Sequence, residues 1–520
     1  MATDRTNSAD EVLIALAPGP GALRHRLEQA ILEGVASGRL PPGTALPPSR
    51  ALADTLGISR WVVTETYGHL VSKGILDART GSATRVAPLV ADGGGADAGT
   101  RRARRTDAAR RTDAARPSEV AQPAGGALER APHRATHDLA PGVPDLRHVP
   151  REAWLRAARD ALAAATNDDL GGQPAAGHPA AREAVATHLR RARMTSGPDR
   201  AVVLTRGASD GMSRIAAALA AAGHTHLLVE DPSWAPLRDV AAAAGLLPVP
   251  VPVDDDGIST DRLRSEAART GARAVLLTPA HQFPLGAALS DPRRAAVLDW
   301  AREVDGLVIE DDYDAEFRYD RRPVPALQGL DPDRVLLLGA TSKTLAPAFG
   351  IGWMVVPERW RAAVLEVSVR RGPTPGPATL DQLTLARFVA DGAFARHLRA
   401  ARDRYARRRA ALLAALDSEL PGARVGGIAA GMHVTVDLAG LALPGLALPG
   451  LDQSGPIWPD AAAVVREGAA RDVALVDLRR YQAAPSARST VLVVGYGNLA
   501  DARLAEAVRS LRAAVEAAVG

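Results

Sequence analysis

Five segments of this sequence carry groups that can do chemistry, and each follows a short apolar run. After AVVLT (201–205) come Gly207, Ala208 and Ser209, which open a helical stretch whose free N–H groups can hold a phosphate. HLLVE (226–230) leads into Trp234, and AVLLT (274–278) into TPAHQFPLG with His281. GLVIE (306–310) leads into Asp311, Asp312 and Tyr313, and RVLLLG (334–339) into ATSKTLAP with Ser342 and Lys343. Together they supply an anion cradle, a flat aromatic, a carboxylate, a phenol and an amine. Those are the parts needed to hold pyridoxal 5′-phosphate: lysine for the aldehyde, carboxylate for the protonated ring nitrogen, aromatic for the ring face, phenol for the ring oxygen.

Most of these residues have a plainer role open to them. A strand-end Asp caps helices, Trp234 can pack in a core, and His281 can bond a neighbouring loop. Lys343 differs. Only Lys73 and Lys343 are lysines, and the other 61 of 63 basic residues are arginines. An always-protonated guanidinium cannot form an internal aldimine, so a chain that otherwise writes Arg keeps Lys where Arg cannot substitute. Lys343 is accordingly the predicted catalytic, Schiff-base lysine. No metal set is predicted, and the absence of cysteine excludes disulfides, thiolate metal sites and a cysteine nucleophile.

The elements that position these groups are apolar strand-like runs alternating with Ala-rich helical stretches from residue 135 onward. That alternation predicts an α/β sheet of parallel strands covered on both faces, with ligands outside the carboxyl ends of the strands. From about 380 to 520 a long charged helix is followed by smaller α+β units, and LALPG occurs twice, at 441–445 and 446–450. Ahead of this body, residues 88–134 contain hardly a large apolar residue and repeat RTDAAR in tandem (105–116), so they are expected to be a disordered linker. Three regions result: 18–87, 88–134 and 135–520. The first two carry net charges of +3 each and the last is neutral, which suggests a polyanion partner for the front alone. The N-terminus has no secretory pattern and no apolar run approaches the ~20 residues that span a bilayer, so the expected setting is the cytoplasm, away from membranes.

The front has its own pattern. GALRHRLEQAILEGVASGRL (21–40) is amphipathic, with Leu23, Leu27, Ile31 and Val35 on one stripe. A rigid turn follows, then a short helix predicted to be capped by Ser49 and ended by Gly57, then a third helix capped by Ser59 and closed by Gly74. Val63, Tyr67 and Leu70 face inward, leaving Arg60, Trp61 and Thr64 outward near the N-terminus, where a recognition helix meets base edges and phosphates. ILDARTGSATRV reads as a two-stranded wing with Gly81 at its tip.

LPPSRALADTLGISRWVVTETYGHLVSKGIL with the following GSATRV closely resembles the winged helix-turn-helix of GntR-family regulators. That resemblance implies contacts to double-stranded DNA from Arg50, Ser59, Arg60 and Thr64, with Thr80 and Gly81 near the minor groove. Trp61 replaces a small polar residue common in the family. The body resembles the fold-type I aminotransferases. The whole chain resembles the MocR subgroup, which joins the two through a long linker; IEDDYDAEFRYD, TPAHQFPLG, SKTLAP and LDQLTLARFVADGAFARHLRAARDRY carry that likeness. It implies a cofactor condensed with Lys343, with Asp311 on the ring nitrogen, Tyr313 on the ring oxygen and Trp234 on the ring face, in a homodimer.

Several positions depart from the aminotransferase pattern. Ala340 stands three before Lys343 where a hydroxyl usually touches the phosphate, and Gly350 stands seven after it in place of an arginine. No aromatic appears in DLGGQPAAGH, and Val493 occupies the place of the arginine for a substrate carboxylate. Charge-assisted phosphate bonds are worth about 1.5–3 kcal/mol each, so the ring side reads as intact and the phosphate side as eroded. Phe283, where aminotransferases place an asparagine, is a change MocR proteins share. The expected function is a transcription regulator whose body senses pyridoxal phosphate, an amine or an amino acid. The alternatives are a working aminotransferase with an accessory DNA module, or a degenerate body that only dimerises.

Overall fold

A computed structural model describes residues 23–36, 39–41, 43–72, 75–77, 84–86, 135–172, 174–319, 324–370, 376–441, 458–486 and 488–519. It divides into two units, Met1–Gln122 and Pro123–Gly520. The predicted linker, Gly74, most of the LALPG repeat, Thr80 and Gly81 lie outside the described residues.

In the first unit, helices Leu23–Ala36, Ser49–Leu56 and Arg60–Ser72 pack with a small antiparallel pair, Leu76–Asp77 against Arg85–Val86. Leu27, Ile31, Leu52, Val63, Tyr67, Leu70, Leu76 and Val86 form its core, as the helical spacing requires, while Leu23 at the end of the stripe is exposed. The buried Tyr67 hydroxyl donates to the Pro47 carbonyl at 2.9 Å, tying the third helix to the turn before the second. Gly57 ends the second helix in the left-handed region (φ 64°), and Ser59 Oγ accepts from Val62 N at 3.4 Å. Ser49 is not the predicted cap. It is the first helical residue, and Pro48 precedes it with no side-chain cap bond.

The second unit is built on an eight-stranded sheet. Its spatial order is Val202–Thr205, Gly352–Val355, Val335–Ala340, Leu307–Asp311, Ala274–Leu277, His226–Asp231, Leu247–Asp254 and Gly257–Ile258. The sheet is mixed, which corrects the expectation of parallel strands. The run from Val335–Ala340 to Leu247–Asp254 is parallel, but Gly352–Val355 runs antiparallel to both neighbours and Gly257–Ile258 antiparallel to its one. All five strands predicted to precede functional groups still end on one edge. Leu247–Asp254 escaped the sequence reading because Pro248, Pro250 and Pro252 argue against a strand. They fall on alternate positions, so the missing N–H groups share the side away from His226–Asp231, and pairing to that neighbour is untouched.

Both faces are covered. On one, Met212, Ile215 and Leu219, Leu237 and Ala241, and Val364 bring three helices onto the strands; on the other, Leu263, Val297 and Trp300, and Val185 and Leu189 do the same. The C-terminal part packs helices Ala393–Glu419, Ala461–Ala470 and Leu504–Val519 on a four-stranded sheet, ordered Arg424–Gly426, His433–Asp437, Val491–Gly495, Val476–Asp477. Among the described residues no helix is long and apolar enough to cross a membrane.

Candidate functional site

A cavity of about 290 Å³ opens at the carboxyl edge of the sheet, and the predicted groups Gly207, Ala208, Ser209, Trp234, Asp311, Tyr313, Ser342 and Lys343 all line it. Lys343 sits on a single helical turn, Thr341–Thr344, directly after strand Val335–Ala340. Its Nζ donates to the Gly142 carbonyl and lies 5.8 Å from the centre of the Trp234 ring. Burial pulls the amine below its ordinary pKa, against the pull of Asp314 and Asp311 in the other direction. That bias toward the neutral amine is what a nucleophilic lysine needs.

Asp311 ends strand Leu307–Asp311 and is only 7% exposed, and its Oδ1 has no hydrogen-bond partner. Burial, aided by the neighbouring Asp312 charge, raises its pKa to about 7. A buried carboxylate oxygen with nothing to accept from is costly unless a donor arrives, so the cavity is shaped for a cationic N–H at that point. Asp312 turns the other way, accepting from buried Arg193 Nε at 2.8 Å, while Glu310 accepts from the backbone of Leu327 and Gln328. These bonds hold the strand end that presents Asp311.

The aromatic wall is a cluster. Trp234 meets Phe283 edge-on (5.5 Å, 88°) and lies near-parallel to Tyr481 (6.0 Å, 29°), and Phe283 meets Tyr481 at 4.8 Å. Val493 is fully buried beneath Phe283 and Tyr481. Glu230 anchors the loop carrying Phe283: its Oε2 accepts from Thr278 N at 3.0 Å and Oγ1 at 2.6 Å. Gln282 Nε2 also reaches the Pro232 carbonyl at 2.8 Å, joining that loop to the one bearing Trp234.

His281 stands behind this wall and does not line the cavity. Its Nδ1 lies 2.9 Å from Asp314 Oδ2 and 3.0 Å from the Tyr313 hydroxyl, so it braces the phenol from the rear. Burial pushes the Tyr313 phenol well above its usual pKa, keeping it protonated as a donor. His281, Asp314 and His433 bring ligating atoms within 4.8 Å of one another, the reach of a metal site. Here they are engaged otherwise, in the His281–Asp314 bond and a 3.1 Å contact from His433 Nε2 to the Pro284 carbonyl.

At the other end, Gly207 (φ 128°) precedes helix Ala208–Ala221, which has no side-chain cap. That backbone angle suits glycine alone. Arg206, Asp314, His433, Met432 and Gly142 also line the cavity and were not singled out from the sequence. Gly142 reaches Lys343 from 201 residues away because Asp145, just after it, is held by Arg408 Nη2 at 2.9 Å and by the Tyr405 hydroxyl at 2.8 Å. No local signal carries that placement. The absent aromatic falls at the short helix Asn167–Gly171, where no ring occurs.

In the first unit, Arg50, Ser59, Arg60 and Thr64 are all exposed, and Trp61 is 68% exposed. Arg60 Nε contacts Ser49 Oγ at 3.4 Å across the turn, and Thr64 Oγ1 bonds back to the Arg60 carbonyl at 3.0 Å. One side of the third helix therefore presents a cation, hydroxyls and an indole outward.

Two family models match the chain. Bacterial regulatory proteins of the gntR family match residues 23–86, and aminotransferase class I and II matches residues 137–467. The chain is 31% identical to a probable rhizopine catabolism regulatory protein, MocR, of Rhizobium meliloti, over 75% of this chain and 76% of that one. It is 30% identical to the HTH-type pyridoxine biosynthesis transcriptional regulator PdxR of Corynebacterium glutamicum, over 81% and 85%. The HTH-type transcriptional regulator TauR of Rhodobacter capsulatus is 32% identical over 86% and 92%. Among solved structures, an archaeal alanine:glyoxylate aminotransferase shares the fold with a TM-score of 0.63 at 23% identity, over 73% of this chain and 91% of that one.

Proposed function

This chain belongs to the MocR-like subgroup of GntR-family HTH-type transcriptional regulators, and on that premise we propose that its aminotransferase-like half binds pyridoxal 5′-phosphate and uses it to sense rather than to turn over substrate. The observation that carries the reading is Asp311: a carboxylate oxygen buried without a partner, in the same cavity as the half-buried Lys343 amine. Those two groups fit a protonated pyridine and an aldehyde at once, so the residues present suit the cofactor.

Lys343 would hold the aldehyde carbon, Asp311 the ring nitrogen, Tyr313 the ring oxygen and Trp234 the ring face, with Gly207, Ala208, Ser209 and Ser342 toward the phosphate. When bound, the cofactor supplies an electrophilic carbon and an electron-withdrawing ring. The protein's part is to keep the Lys343 amine neutral by burial, to keep Tyr313 protonated and braced by His281, and to shield the ring with the Trp234–Phe283–Tyr481 cluster. Val493 argues for sensing: it lies buried under that cluster and offers no cation to an α-carboxylate.

The GntR helix-turn-helix implies DNA binding, and Arg50, Ser59, Arg60 and Thr64 are its proposed contacts, with Thr80 and Gly81 on the wing. Two half-sites in one operator require two such units, so the working form is proposed to be a homodimer, in the cytoplasm. Residues 18–87, 88–134 and 135–520 serve as DNA-binding unit, tether and sensor. The effector, the cofactor itself or an amine bound beside it, changes DNA binding only through unequal affinity for two arrangements of the dimer.

Borohydride reduction of the purified full chain followed by peptide mass spectrometry tests this. The expected result is a pyridoxyl group on Lys343; its absence overturns the sensor reading. Sustained transamination by the same preparation would favour the enzyme instead.

A further inference from the structure

We propose that Arg206 supplies the phosphate-binding cation of this pocket, taking over the work of an arginine where Gly350 now stands. The proposal rests on the reading that the cavity holds pyridoxal 5′-phosphate. Two positions that the resemblance assigns to the phosphate are spent. Ala340 is buried at the end of its strand and has no hydroxyl. Gly350 lies in the left-handed region (φ 59°), where a Cβ would point into open space, and it caps the turn Pro347–Phe349. A long side chain there would be strained by the backbone it inherits.

Arg206 stands between strand Val202–Thr205 and the N-cap Gly207, on the rim of the same cavity as Gly207, Ala208 and Ser209. Its backbone N–H donates to Asp210 Oδ2 at 2.9 Å, and its Nε donates to the Gly376 carbonyl at 3.1 Å. A guanidinium has five N–H donors in a fixed fork, so one group can serve a carbonyl and an anion together. Asp210, which accepts that backbone N–H, is also engaged by the fully buried Arg214, whose Nε lies 3.2 Å from Asp210 Oδ1.

The charges of the cavity are therefore divided between strand ends. Asp311 and Asp314 lie close enough to Lys343 to act on its charge, whereas Arg206 stands beside the helix N-terminus, after a strand three places along the sheet from the one that ends in Asp311. A phosphate dianion is repelled by the two carboxylates and drawn to the guanidinium. The unpartnered Asp311 oxygen suits the ring nitrogen, which leaves the loop of Arg206 and Gly207 in the same cavity for the phosphate.

The test compares two probes that differ only in the phosphate, pyridoxal 5′-phosphate and pyridoxal, by equilibrium dialysis against the full chain. Wild type should prefer the phosphorylated probe. Arg206→Gln should lower affinity for it by about 10–100-fold, the worth of one charge-assisted contact, and leave pyridoxal within about twofold. Arg206→Lys should recover part of the lost affinity. Unchanged preference in Arg206→Gln, or equal loss of both probes, overturns the proposal. Wild type that binds the two equally overturns it and leaves the parent reading standing, whereas wild type that binds neither overturns both.

Discussion

The proposed DNA-binding face and the proposed cofactor pocket are built in opposite ways. On the third helix of the first unit, Arg60, Trp61 and Thr64 stand in solvent; Thr64 bonds its own helix and Arg60 contacts Ser49 at the start of the second. In the pocket, Asp311 is buried and Lys343 and Tyr313 are half-buried, and desolvation shifts the pKa of all three. An exposed contact exchanges water for a phosphate oxygen or base edge and is worth a modest increment. A buried group has no water to fall back on, so removing its partner leaves a desolvated charge or an empty donor. Substitutions in the pocket should therefore cost more than those on the helix.

The sharpest contrast is Lys343→Ala. Borohydride labelling by pyridoxal phosphate should vanish, while binding of this variant to specific DNA, without added cofactor, should stay within about threefold of wild type measured the same way. Retained labelling at another site would collapse the distinction. Next is Asp311→Asn, which keeps size but cannot pair with a cationic ring nitrogen; affinity for the cofactor should fall about 10–100-fold by the same dialysis.

Acidity offers an independent handle on the buried side. Asp311 and Glu230 are both raised to about 7 by burial, from ordinary values of 3.8 and 4.5. Folded, each holds a proton that the unfolded chain has released between those limits. These two groups therefore lower stability as pH rises from about 4 to 7, while His433, whose pKa burial holds well below the ordinary 6.5, works the other way in the same window. The melting temperature of ligand-free Asp311→Asn should therefore gain on that of wild type as pH rises across the window. A constant difference between the two curves would show that the Asp311 carboxyl is not desolvated.

Arg60→Ala should be milder. It should weaken specific DNA binding about tenfold and reduce the salt dependence of log affinity by about one unit, the signature of one lost phosphate contact.

How far all this was readable follows the same division. The five strand ends announce their groups because an apolar run ends abruptly in residues that a core would reject, and the inward stripe Val63, Tyr67, Leu70 announces the outward one. Lys343 was conspicuous because the chain almost never writes Lys. Arg206 was invisible for the reverse reason: one more Arg among 61 carries no compositional weight. Gly142, His433 and Tyr481 reach the site from the N-terminal segment and the C-terminal part of the body, through tertiary bonds that leave no periodic trace. The antiparallel strand Gly352–Val355 escaped because direction is fixed by the short turn after Lys343, not by its own residues.

The smallest expected effect concerns Trp61. At 68% exposure it is the most exposed large apolar residue described, and it sits one position into the recognition helix, where the family resemblance expects a small polar side chain. An exposed indole offers apolar surface to a partner, and in the major groove the apolar surface it can meet is the thymine methyl. Trp61→Ser should therefore leave binding to random-sequence DNA within about twofold and relax preference at a single base pair by roughly 1 kcal/mol, read by competition against operators mutated one position at a time. Because the indole carries no charge, the salt slope should not move. If it does, or if preference is unchanged at every position, the exposed face is read through phosphates alone, and the contrast with the pocket becomes one of charge rather than of burial.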